Sequence, residues 1–320
     1  MKVFVTRRLP GKALRILERE VDVEVNASDR VLSKKELIKG VKDADGLLCL
    51  LTDDVDKDVI SSSNLKIISN YAVGYNNIDL KKATERGIPV TNTPGVLTET
   101  TADFTFALIL SLARRIVEGD RFLRNLKFKG WAPLLLLGTD VFKKTLGIVG
   151  LGRIGSGVAR RAMGFSMRII YYQRRRNKSL EEELGAECLG FSELLKTSDF
   201  VTLHVPLAKE TYHLISDREF ELMKSSSYLI NTSRGPVVDE KALIEALRKK
   251  KIRGAALDVF EFEPEVSKEL LKLENVILTP HIASASFETR EKMALMAVEN
   301  LLMALKGEKP PNTVNPEVFE

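Results

Sequence analysis

The chain has 320 residues, enough for two domains at about 150 residues each. Hydrophobic residues make up 44% and charged residues 29%, which excludes collagen, low-complexity disorder and a membrane bundle. The net charge of +5 arises from 49 cations interleaved with 44 anions, so charge gives no case for a nucleic-acid partner.

In chain order, the first half predicts strand 2–6, helix 12–19, strand 21–25, helix 34–41 and strand 45–51. A short helix after Asp56, strand 65–69, helix 79–86 and strand 88–91 follow. The strands are β-branched and apolar on both faces, as buried parallel strands are. Strands alternating with amphipathic helices predict open α/β sheets with right-handed crossovers. A helix is predicted over 100–125, with Phe104, Leu108, Leu112 and Ile116 at helical spacing and capping groups at Thr98-Glu99-Thr100. Its apolar run, 104–113, is about half a membrane span. Residues 126–143 are irregular and apolar, with Trp131 and four successive leucines before Gly138. An exposed run of this kind predicts a surface facing a second subunit. A second series places strands at 146–149, 167–172, 200–204, 228–232, 254–259 and 276–279, then a helix over 288–305.

The rarer residues narrow the chemistry. Cys49 and Cys188, both in apolar segments, argue against a disulfide framework or a cysteine metal site. The three histidines, His204, His213 and His281, leave few candidates for a histidine acid, and no metal site is expected. Gln173 is the only glutamine, a composition that hints at a thermophilic source. Charges near the N-terminus stand where a secretory signal needs its apolar stretch, so a cytoplasmic protein is expected.

Gly150-Leu151-Gly152-Arg153-Ile154-Gly155 follows a β-branched strand and opens a helix. Gly150 suits the tight turn, Gly152 lets backbone approach a pyrophosphate, and Gly155 allows close helix–strand packing. The helix N-terminus then offers free N–H groups and a positive dipole end to phosphates. An NAD-preferring site places an acid at the end of the next strand, on the ribose 2′-OH. Here that place holds Gln173, followed by Arg174, Arg175 and Arg176, with no acid among them. A 2′-phosphate suits a guanidinium fork, so NADP(H) is expected to be preferred and NAD(H) tolerated.

Three further segments follow predicted strands, where open α/β sheets bind ligands: 231–236, 257–264 and 279–284. They offer Arg234, the carboxylates Asp258, Glu261 and Glu263, and His281. The set suits reduction of a 2-oxo acid. Arg234 can hold the substrate carboxylate and polarise its carbonyl. Protonated His281 can deliver a proton to the developing alkoxide. A carboxylate beside His281 would raise its pKa and orient it, and spacing alone leaves Glu261 and Glu263 equivalent. His204, ending a strand before Pro206, reads as a satisfied edge histidine, and His213 as a surface or packing residue.

The glycine motif, Leu203-His204-Val205-Pro206-Leu207, Asn231-Thr232-Ser233-Arg234-Gly235, Leu257-Asp258-Val259 with Glu263-Pro264, and Pro280-His281-Ile282 together resemble the D-2-hydroxyacid dehydrogenases, over essentially the whole chain. Residues 70–79 and the Trp131 segment are most similar to the glyoxylate and hydroxypyruvate reductase branch. The resemblance implies two doubly wound parallel-sheet domains, Rossmann-like and flavodoxin-like, with a cleft between them. Residues 1–97 plus 288–320 would form the substrate domain and 98–287 the dinucleotide domain. It implies Arg234, Glu263 and His281 as the catalytic set, Glu263 because the family's acid precedes the proline. Leu51, the N–H groups of Val73 and Gly74, Arg234, His281 and the partner subunit's Trp131 would surround substrate in a homodimer. Thr100, Leu151, Gln173, Arg174, Arg175, His204, Val205, Pro206, Thr232, Ser233, Arg234, Asp258, His281 and Ala283 would line the cofactor with the glycine turn, Asp258 meeting the nicotinamide amide. Ala283 stands where glycine is frequent, a methyl of little expected consequence.

Within the family, Glu263 disfavours a formate dehydrogenase, and residues 70–79 with Trp131 disfavour a D-lactate enzyme. A short-form phosphoglycerate dehydrogenase remains open. So does a dinucleotide-sensing corepressor-like protein that keeps the trio without catalysis. Reduction of glyoxylate or hydroxypyruvate to the D-2-hydroxy acid is the expected activity.

Overall fold

A computed structural model describes residues 1–320. The chain divides into two compact units, Met1–Leu97 with Ala285–Glu320, and Thr98–Ser284.

The first unit holds strands β1 (Lys2–Val5), β2 (Asp22–Val25), β3 (Gly46–Cys49), β4 (Ile67–Asn70) and β5 (Val90–Thr91). They form one parallel sheet in the order β2-β1-β3-β4-β5, a doubly wound arrangement. β3 and β4 are buried throughout, which is why they read as continuous apolar runs. Helix Phe287–Leu305 packs against β3 and β4, and Ser69 Oγ donates to the Ala297 carbonyl at 2.8 Å.

The second unit holds β6 (Thr145–Val149), β7 (Arg168–Tyr172), β8 (Glu187–Cys188), β9 (Phe200–Leu203), β10 (Tyr228–Asn231), β11 (Gly254–Leu257) and β12 (Val276–Leu278). Its parallel sheet runs β12-β11-β10-β9-β6-β7-β8. The order reverses between β6 and β9, the crevice where such sheets take ligands. Apolar layers cover both faces. One includes Val149, Val201, Leu229 and Ala255; the other includes Ile148, Phe200, Ile230 and Ala256. No helix is long and apolar enough to cross a membrane.

The expected helix over 100–125 is two helices, Thr98–Ala113 and Ile116–Arg124. The break has a cause from further along the chain. The Ala113 carbonyl accepts the Thr139 N–H at 2.8 Å, and a Cβ on Gly138 would stand 2.3 Å from that oxygen. Arg115 turns into the left-handed region at φ 54°, and its guanidinium is held by Glu118 and the Leu137 carbonyl. β8 is a two-residue edge strand, too short for any pattern to announce.

Candidate active site

In the second unit the glycine turn leaves β6 at the crevice. Gly150 sits at φ 97°, and a Cβ there would meet the His204 carbonyl at 2.9 Å. A Cβ on Gly155 would lie 2.2 Å from the Gly150 carbonyl, so only glycine lets helix Arg153–Met163 start this close to the strand. Around Gly152 nothing lies within 4 Å of an added Cβ. Open space beside a helix N-terminus fits a pyrophosphate, so the residues present suit a dinucleotide. Leu151 is buried, while Arg153 is exposed and Ile154 half-buried.

At the end of β7, Gln173 Oε1 accepts the Leu151 N–H at 3.1 Å, tying that strand end to the glycine turn. The three arginines are not equivalent. Arg176 is held by Glu181, Nε to Oε1 at 2.6 Å and Nη2 to Oε2 at 2.7 Å. Tyr171 also donates to Glu181 Oε1, at 2.6 Å, and with Arg176 it holds that carboxyl below the usual carboxylate range. An acid from outside the Gln173–Arg176 stretch thus meets the last of the three arginines. Glu181 lies ten residues beyond Tyr171 but folds back onto it through helix Lys178–Leu184. Arg174 and Arg175 are exposed.

His204 follows β9 and bonds Thr202 Oγ1 at 2.9 Å; burial pushes its pKa down to about 3, so it is neutral. Val205 and Pro206 continue the same edge. After β10, Asn231 organises the loop: its Oδ1 accepts from Ser233 N and Oγ, and its Nδ2 donates to the Arg234 carbonyl. Thr232 Oγ1 lies 2.9 Å from Thr105 Oγ1 in the helix that also carries Thr100.

Arg234, Glu263 and His281 come together at the carboxyl ends of β10, β11 and β12. Arg234 Nη1 donates to the Ser233 carbonyl at 2.7 Å; burial lowers its pKa, and Glu263 opposes the shift. Glu263 Oε1 accepts the Phe260 N–H at 2.9 Å, and Oε2 lies 2.9 Å from His281 Nδ1. Burial would raise Glu263, but the His281 contact, the Phe260 N–H and Arg234 together bring it below its ordinary value. Glu261 faces His213 instead, which separates two acids that spacing alone leaves equivalent.

Asp258 is fully buried and grips the loop that carries His281. Its carboxylate accepts from Thr279 Oγ1 at 2.6 Å, Ile282 N–H at 2.9 Å and Ala283 N–H at 2.8 Å. Burial raises its pKa against these donors. His281 itself is bent to φ 55°, an uncommon conformation for a side-chain-bearing residue.

In the first unit, the loop after β4 holds Val73 and Gly74. Asn70 Nδ2 donates to the Gly74 carbonyl at 2.9 Å and Asn92 Nδ2 to the Val73 carbonyl at 2.8 Å. Both carbonyls are thereby fixed, and the N–H groups of Val73 and Gly74 form no hydrogen bond within the unit. Leu51 follows β3 and is half-buried. Sequence reasoning missed Asn70 and Asn92. Their signal was an amide side chain at each strand end flanking the loop.

Residues 126–137 stand clear of the protein core, with Leu126 82%, Trp131 85% and Leu134 80% exposed. Trp131 makes no part of either cluster above.

A doubly wound sheet with a glycine turn at its switch point, beside an Arg–Glu–His cluster, defines a dinucleotide-dependent oxidoreductase. The chain belongs to the D-isomer-specific 2-hydroxyacid dehydrogenases, whose NAD-binding domain matches residues 106–283. A protein named glyoxylate reductase from Korarchaeum cryptofilum is 55% identical over 322 residues, spanning 100% of this chain and 97% of that protein. The solved TT0316 protein of Thermus thermophilus superposes with a TM-score of 0.92 at 48% identity, covering 98% and 100% of the two chains. An NADPH-dependent glyoxylate/hydroxypyruvate reductase from Sinorhizobium meliloti, solved with NADP and malonate, has a TM-score of 0.86 at 30% identity, covering 98% and 96%.

Proposed function

We propose that the protein reduces glyoxylate or hydroxypyruvate to the D-2-hydroxy acid in the cytoplasm, with NADPH preferred to NADH. The observation that carries the reading is the His281–Glu263 contact beside half-buried Arg234. When bound, the nicotinamide supplies the hydride to C2 of the oxo acid. Every other requirement falls on the chain. Nδ1 of His281 is turned to Glu263, so Nε2 is the nitrogen left to give its proton to the carbonyl oxygen. Arg234 holds the substrate carboxylate and stabilises negative charge developing on that oxygen. In the first unit, the N–H groups of Val73 and Gly74 suit a carboxylate. Asp258 holds the His281 loop and keeps a lone pair for the nicotinamide amide, against a wall that includes Ala283.

Cofactor preference rests on Arg174 and Arg175. Their guanidiniums are exposed, whereas Arg176 is neutralised by Glu181. Two cations beside a neutral glutamine suit a 2′-phosphate. The apolar arm 126–137 suits a second copy of the chain, with Trp131 reaching the partner's site.

The test is NADPH oxidation with glyoxylate and hydroxypyruvate as substrates, with His281→Ala in parallel. Wild-type turnover with loss of about a thousandfold in the variant is expected for a missing proton donor. Wild-type-like turnover in His281→Ala, or no turnover in the natural chain, would reject the reading. The second outcome would favour a dinucleotide-sensing protein that keeps the trio without catalysis.

A further inference from the structure

The turn that presents Glu263 also presents Glu261, and each acid faces its own histidine. His213 Nε2 lies 2.6 Å from Glu261 Oε1, a carboxylate whose side chain is only 8% exposed. The other oxygen, Oε2, accepts the Glu240 N–H at 3.0 Å, and Glu240 Oε2 accepts the Glu261 N–H at 3.2 Å. On the far side of the imidazole, Nδ1 is 3.7 Å from Asp239 Oδ2. Tyr212 stacks on the ring at 4.0 Å. The backbone of His213 is bent to φ 50° and its N–H donates to the Pro236 carbonyl at 2.8 Å. That conformation is uncommon for a side-chain-bearing residue, and it sets the ring between two carboxylates and under an aromatic ring.

His213, Asp239 and Glu261 place ligand atoms within 4.8 Å of one another, which raises the question of a metal ion. The hydrogen bonding answers it. Asp239 Oδ1 accepts the Ala242 N–H, Asp239 Oδ2 accepts the Ser216 hydroxyl, and both Glu261 oxygens are engaged. The two acids also face different nitrogens of the ring. The arrangement is a filled hydrogen-bond network, not a cage with donors to spare.

Its consequence lies two residues along the chain. Phe260 N–H donates to Glu263 Oε1, and a Cβ on Gly235 would stand 1.8 Å from the Phe260 carbonyl. The turn 260–263 is thus pinned by Gly235 on one side and by Glu261 on the other. We propose that His213 is a positioning residue: by holding Glu261 it fixes this turn and so aims Glu263 at His281. The inference rests on the reading of Glu263 and His281 as the catalytic pair. The charged groups concerned are Asp239, Glu240 and Glu261 around His213, and Arg234 and His281 around Glu263.

The experiment compares pH profiles of kcat for the natural chain, His213→Ala, His213→Gln and His281→Ala, with Tm and cofactor Kd measured alongside. His213→Ala should lower kcat about tenfold, as small misplacements of catalytic groups do. The acid limb of its profile should move to higher pH, because a loosened Glu263 loses the contacts that hold it below its ordinary value. Cofactor Kd should be unchanged. His213→Gln, whose amide N–H reaches the place of Nε2, should recover most of both. If His213→Ala does not fold, comparing His213→Gln with His213→Asn carries the same test, since the shorter amide falls short of Glu261. An unmoved acid limb in His213→Ala, or equal behaviour of the Gln and Asn variants, would overturn the proposal. So would Zn²⁺ stimulation of the natural chain that His213→Ala abolishes. Wild-type turnover in His281→Ala would instead remove the catalytic reading beneath it.

Discussion

Glu263→Gln tests how the acid pair works. Glutamine keeps the volume and an oxygen for the Phe260 N–H, but removes the charge 2.9 Å from His281 Nδ1. Two unit charges about 4 Å apart attract by about 4 kcal/mol at an effective dielectric of about 20. That is an upper figure here, because the His281 and Glu263 side chains are 26% and 30% exposed and solvent screens them. A charge-assisted hydrogen bond contributes about 1.5–3 kcal/mol, and the lower end suits this exposure. At about 1.4 kcal/mol per factor of ten, the loss corresponds to about a tenfold fall in kcat at neutral pH. The His281 contact, the Phe260 N–H and Arg234 hold Glu263 below its ordinary value, so the natural chain keeps this charge until pH falls through that lowered pKa. Glutamine lacks the charge at every pH, so the two kcat profiles should converge on the acid side. Turnover of glyoxylate with saturating NADPH, followed across the pH range, reads this directly. A drop in kcat that is the same at acid and neutral pH would refute the argument and leave Glu263 a purely steric role.

Asn92→Ala frees the Val73 carbonyl and loosens the N–H pair proposed for the substrate carboxylate. Losing one hydrogen bond of about 1 kcal/mol should raise the glyoxylate KM about fivefold with kcat nearly kept. Replacing Arg174 and Arg175 together with alanine should lower kcat/KM for NADPH at least about tenfold and leave NADH nearly unchanged, since only the phosphate contacts are charge-assisted. Steady-state kinetics with both cofactors decides it. Leu134→Glu, at a side chain 80% exposed in the chain alone, should convert the proposed dimer to monomers in sedimentation velocity while Tm changes little.

The strands were legible because a parallel strand buried on both faces can hardly be written without a β-branched or apolar run, as in Ile67–Asn70 or Thr145–Val149. The glycine motif was legible because two of its members answer to backbone geometry that only glycine satisfies. The break after Ala113 was not. Helical spacing of apolar residues continues past it, and the cause is a long-range event, the capture of the Ala113 carbonyl by Thr139. Local pattern carries no record of a donor supplied twenty-six residues later.

The same distinction runs through the site. Arg234, Glu263 and His281 sit just past strand ends, where chemistry-bearing side chains announce themselves against apolar neighbours. The groups that aim them do not. Asp258 reads as one more acid in a motif, yet it bonds N–H groups 24 and 25 residues away and so fixes the loop that bears His281. His213 reads as a surface histidine until the fold sets it against Glu261, 48 residues on. Glu181 passes unnoticed beside an arginine run until a short helix returns it to Arg176. In each case the residue type is ordinary and the information is in the partner. A motif identifies what a side chain can do chemically. Burial then makes an unmet donor or acceptor costly, so the partners that satisfy it are fixed by the fold and become visible only when the chain is closed.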